Sequence, residues 1–108
     1  MIDRIRERDG FVRLRQEGTR TRIDPLWCSF VPDPTSTSPK VAFAIGRAVG
    51  SAVVRNRLRR RLRALLSQAS LPPGWYLIGA SPRAIELTFD QLAERIERLG
   101  EQLTTETR

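Results

Sequence analysis

The stretch VVRNRLRRRLRALL, Val53 to Leu66, carries six arginines within nine consecutive positions. It contains no proline, and Val54, Leu58, Leu62, Leu65 and Ala69 recur at spacings of three and four, which predicts an amphipathic helix from about Gly50 to Ala69. At about 100° per residue these five side chains fall within one sector. Arg55, Arg59 and Arg63 form a row along one flank, and Arg57, Arg60 and Arg61 continue around the rest. A helix built this way has one stripe to bury, against a sheet, and turns guanidinium groups outward everywhere else. Like charges four residues apart repel by a few tenths of a kcal/mol per pair, and no acidic residue stands between Asp33 and Glu86 to offset them. Folding does not require that imbalance, so the surface points to a polyanionic partner.

The remaining segments supply what such a stripe packs against. DGFVRLRQEG begins with a capping candidate, Asp9, and ends at Gly18, which predicts a short helix from Asp9 to Glu17. Strand composition follows around Leu26 to Val31, and Pro25 confines that segment to a strand start or a sheet edge. PDPTSTSPK reads as a loop, a hairpin connection. KVAFAIG alternates large Val41, Phe43 and Ile45 with small Ala42, Ala44 and Gly46, the pattern of a strand with one thickly packed face. LPPG ends the basic helix, WYLIGA (Trp75 to Ala80) is a further strand, and SPRA is a turn. TFDQLAERIERLG is a last helix with Leu92, Ile96, Leu99 and then Leu103 toward the core. The class is α+β, a small sheet with helices in the order α-β-β-α-β-α. One domain is expected over residues 1–108, with the first eight and the last five residues left open between order and disorder.

Composition narrows the chemistry. There is no histidine, the carboxylates are scattered over the two ends, and serine has no basic partner of suitable pKa, so an independent catalytic centre is not expected. The single cysteine, Cys28, excludes an internal disulfide and, with no histidine, a zinc set. No apolar run approaches the ~20 residues that span a bilayer. MIDRIRERDG carries both signs of charge and lacks the apolar centre of a secretory signal, so a cytoplasmic protein with no membrane contact is expected. The formal charge of +7 is local, because every charged side chain from Lys40 to Arg83 is basic. Clustered cations release condensed counterions on meeting phosphates. Lys40 is the only lysine; arginine's planar fork suits phosphate and base recognition, and a genome-wide codon bias gives the same preference.

A DNA-reading helix, with Asn56 on adenine and arginines on guanine, needs a compact helical pair before it, and a strand stands there instead. RNA docking suits the pattern better, since a folded RNA presents phosphates to several sides of one helix. Asn56, the one neutral polar residue in the run, is either a tolerated helix residue or a hydrogen-bonding partner of a phosphate and a nearby donor.

KVAFAIGRAVGSAVVRNRLRRRLRALL resembles the signature of the bacterial ribonuclease P protein component. The likeness is carried by Val49, Gly50, Ala52, Val53, Arg55, Asn56, Arg57, Leu58, Arg59, Arg60 and Arg63, in type and in order. It implies a protein that binds a catalytic RNA and assists removal of the 5′ leader from precursor tRNA, with the chemistry and the Mg2+ ions held mainly by the RNA and none by the protein alone. Its partners would be that RNA and precursor tRNA, with no obligate protein partner. The resemblance assigns Arg47, Arg55, Asn56, Arg57, Arg59, Arg60 and Arg63 to the RNA subunit, and it implies a left-handed strand-helix-strand crossover, an exception to the usual hand. It also implies a leader cleft between the first helix and the sheet, to which Phe11, Arg15 and Trp27 are assigned. Phe11 and Trp27 read equally well as packed core residues. Arg15 stands where relatives often have a second phenylalanine, so its contact would be electrostatic. Ala48 replaces a common basic residue and Ala64 a frequent glutamate, while Arg83 alone supplies charge in the turn after the last strand. The alternatives are a structural RNA-binding protein such as a small ribosomal component, and a DNA-binding regulator.

Overall fold

A computed structural model describes residues 3–4, 8–33 and 38–106, with side chains over 12–33 and 38–105. In chain order the elements are β1 (Asp3–Arg4), α1 (Arg8–Glu17), β2 (Thr19–Ile23), β3 (Leu26–Pro32), β4 (Lys40–Ala44), α2 (Ala52–Gln68), β5 (Gly74–Ala80) and α3 (Phe89–Glu106). Short 3-10 turns, Arg47–Val49 and Pro82–Glu86, precede α2 and α3. The fold is α+β, and its strands form one mixed sheet in the order β1-β4-β5-β3-β2. Strand β5 pairs parallel with β4 and antiparallel with β3, so α2 is the crossover between two parallel neighbours.

Three details of the expected layout are corrected. Thr19–Ile23 is a strand in its own right: Thr21 and Ile23 turn inward while Arg20 and Arg22 face solvent, and Asp24 and Pro25 make the turn into β3. The two-residue β1 adds an edge beside β4. The segment after β3 is not a hairpin connection, because β5 lies between β3 and β4; the chain crosses the end of the sheet instead. Pro25 does stand just before a strand start, as its missing N–H requires.

The two faces of the sheet are covered differently. On one, Leu26, Cys28 and Phe30 of β3, Val41 of β4, and Tyr76 and Ile78 of β5 meet Leu58, Leu62, Leu65 and Leu66 of α2 and Leu92, Ile96, Leu99 and Leu103 of α3. Each fully buried aliphatic side chain contributes about 1.5–3 kcal/mol, so the α2 stripe outweighs repulsion of a few tenths of a kcal/mol among its arginines. On the other face, Leu14 of α1 packs on Val31 and Trp75 in a smaller cluster. Strand β5, central and covered on both sides, reads as a continuous apolar run for that reason. Tyr76 stacks on Phe30 with ring centroids 4.6 Å apart, and its hydroxyl donates to the Pro72 carbonyl. Burial pushes that hydroxyl's pKa above its ordinary value, with the Cys28 thiol adding to the effect.

Candidate nucleic-acid interface

The chain leaves β4 through Ile45 and Gly46, makes the 3-10 turn at Arg47–Val49 and buries Val49. Gly50 then takes a backbone angle of φ 154°, where a side chain would collide with Val54. Ser51 caps α2, its Oγ accepting from the Val54 N–H at 3.3 Å. These contacts fix the azimuth of α2. With Leu58, Leu62, Leu65 and Leu66 buried, the arginines must surround the exposed side.

They fall on two flanks and a crest. Val53, Asn56, Arg59, Arg60 and Arg63 line one shallow depression of about 530 Å³. Arg57 and Arg61 border another of about 270 Å³, floored by Val54, Leu58 and Ile85 from the turn at Pro82–Glu86. On the first flank Arg59 Nη1 donates to Asn56 Oδ1 at 2.8 Å and its Nη2 to the Ile45 carbonyl at 3.5 Å. The Arg63 guanidinium lies over the Phe43 ring, 5.3 Å from its centroid. Arg55, at the margin of the buried stripe, encloses its Nε without a hydrogen-bond partner among the described residues. Arg47 is exposed on its turn, ahead of the helix.

Among the described residues, no arginine of α2 pairs with a carboxylate. The ion pairs lie elsewhere, at Arg13–Glu17, Arg22–Asp24, Arg83–Asp24 and Arg95–Glu94. Arg83 is therefore engaged: its Nη1 is 3.3 Å from Asp24 Oδ2.

The residues assigned to a leader cleft lie on the opposite face of the sheet from α2. Trp27 projects there beside Gly79 in register, and a side chain at Gly79 would collide with its ring. The ring is half-buried, lies outside both buried clusters, and carries the Arg20 guanidinium 4.2 Å from its centroid. Gly79 and, one strand further, Ala44 continue the row from Trp27 across the same face, so the surface beside the ring is low. Arg15 is exposed on α1. The Phe11 backbone belongs to α1, and its side chain lies outside the described residues. Beyond the expected residues, Arg13 and Lys40 both stand over Trp75, at 5.4 and 5.5 Å from its centroid. The signal for Arg20 was present in the alternation of TRTRI, which places Arg20 and Arg22 opposite to Thr21 and Ile23.

A family model described as ribonuclease P matches the chain over residues 2–104, which takes in both the cationic helix and the face around Trp27. The chain belongs to the ribonuclease P protein family. It is 36% identical over 105 residues to the ribonuclease P protein component of Thermobifida fusca, covering 88% of this chain and 71% of that one. The corresponding protein of Roseiflexus castenholzii is 33% identical over 100 residues, covering 89% and 81%. The fold matches the ribonuclease P protein of Thermotoga maritima with a TM-score of 0.79 over 93% of this chain and 96% of that one, at 19% identity. For the Staphylococcus aureus RNase P protein the TM-score is 0.77, over 97% and 94%, at 16% identity. In this ribonuclease P family member, the signature from Val49 to Arg63 runs from the last residue of the 3-10 turn through the first three turns of α2, where six arginines stand without a carboxylate partner among the described residues.

Proposed function

We propose that the chain is the protein subunit of ribonuclease P, which docks α2 on the catalytic RNA and steadies the 5′ leader of precursor tRNA on the other face of its sheet. One observation carries this reading: six arginines on α2, none matched by a carboxylate among the described residues, in a chain of this family. Arg47, Arg55, Arg57, Arg59, Arg60 and Arg63 meet phosphates, with Asn56 among them. Trp27, with Arg15 and Phe11 on α1, receives single-stranded leader, where ring stacking adds affinity with little sequence preference.

The protein's share of the reaction is binding and orientation. The described residues do not fit a magnesium site: they hold no group of three or more His, Cys, Asp or Glu side chains that could bind a metal, and the Asp24 carboxylate is taken by Arg22 and Arg83. In this reading the metal ions and the scission belong to the RNA, while neutralisation of phosphate charge by α2 lets the RNA fold and hold substrate with fewer ions. No helix among the described residues is long and apolar enough to cross a membrane, and a cytoplasmic site of action follows from the proposed role.

The leader arm is tested with Trp27→Ala in the assembled complex. Stacking of one base is worth about 1–3 kcal/mol, so affinity for precursor tRNA falls by about fivefold or more while affinity for mature tRNA stays unchanged. Equal loss for both RNAs, or loss for neither, contradicts the placement of the leader.

A further inference from the structure

Arg55, Arg59 and Arg63 follow one another at intervals of four along the flank of α2 that faces β4. The last two are held by the protein before any ligand arrives. Arg59 is tied by two hydrogen bonds, to the side-chain oxygen of Asn56 at 2.8 Å and to the main-chain oxygen of Ile45 at 3.5 Å. Arg63 rests on Phe43, whose ring is half-buried against the main core cluster and so has its own orientation set by packing. Among the described residues Arg57, Arg60 and Arg61 make no hydrogen bond, ion pair or ring contact of this kind. A long side chain that is already oriented loses less rotamer freedom when it docks, and arginine's planar fork rewards a fixed orientation more than a point charge would.

We propose that Asn56 and Phe43 are positioning residues that preset the Arg59 and Arg63 guanidinium groups, making the β4-side flank of α2 the part that recognises one place on the folded ribonuclease P RNA. The crest and the opposite flank, with Arg57, Arg60 and Arg61, supply long-range attraction to any RNA. The inference rests on the reading of α2 as the RNA-docking helix. It changes the part played by Asn56: the oxygen of its side chain is spent on Arg59, so its contribution to binding runs through that residue.

The test measures binding of the full chain to a bacterial ribonuclease P RNA and to poly(U) of similar length. Phe43→Leu keeps an apolar side chain against the core and removes the ring face. It is expected to weaken binding to the ribonuclease P RNA about three- to tenfold, to leave poly(U) binding and the salt slope unchanged, and to have no further effect once Arg63→Ala is present. Phe43→Tyr restores the ring and the affinity. Asn56→Ala, on the exposed surface where folding is not at stake, should behave in the same way toward Arg59→Ala. Losses that persist undiminished in the arginine-deleted backgrounds overturn the positioning role, as does equal weakening toward poly(U). If Arg59→Ala and Arg63→Ala themselves leave ribonuclease P RNA binding untouched, the docking reading fails and takes this inference with it.

Discussion

Tyr76 and Trp27, one strand apart in the sheet, show how a side chain's face decides its role. Tyr76 is fully enclosed, its hydroxyl bonded to the Pro72 carbonyl. Its pKa is raised by burial above the unfolded value near 10, so the unfolded chain gives up this proton first as pH climbs. The associated stability is complete below about pH 10 and declines above it. Tyr76→Phe should cost about 1 kcal/mol at neutral pH through the lost hydrogen bond and should flatten the decline above pH ~10. Denaturant melts at neutral and alkaline pH measure both, and an alkaline decline as steep as that of the parent protein would contradict the assignment. Trp27 was ambiguous in the sequence because a tryptophan in a strand suits either face. Its register opposite Gly79, known only from the sheet, makes it a ring on the outer face. Lys40 and Arg13 over Trp75 were invisible for the same reason: their partners come from other elements.

At the level of elements, α2 is held by its leucines and opposed by its arginines. Removing two exposed cations therefore acts in opposite directions on folding and on binding. Arg57→Ala with Arg60→Ala should leave thermal stability equal or slightly raised, since repulsion is relieved and alanine favours helix. The same variant should bind ribonuclease P RNA more weakly, with a salt slope lower by about two. Loss of folding would show instead that these side chains are structural. The helix itself was legible because its apolar spacing is regular over more than four turns, and α3 was legible in the same way, with Leu92, Ile96, Leu99 and Leu103 all buried. Strand β2 was not, because TRTRI carries only two inward residues and stands at the edge of the sheet. The insertion of β5 between β3 and β4 was equally hidden, since strand order depends on where α2 returns the chain and no local pattern records it.

Over the whole molecule, charge is divided by surface. The α2 face carries arginine without a carboxylate partner among the described residues, α3 mixes Glu94, Glu97 and Glu101 with Arg95 and Arg98, and the opposite face of the sheet shows scattered cations around two tryptophans. The division suits a protein that sits between a large RNA and a flexible strand of its substrate, adding binding to chemistry done elsewhere. Cleavage of precursor tRNA by a bacterial ribonuclease P RNA at low magnesium, with and without the purified chain, measures that directly. The account predicts 5′ leader removal when RNA and protein are combined and none by the protein alone; scission by the protein without RNA, or no gain on adding it to the RNA, would contradict it.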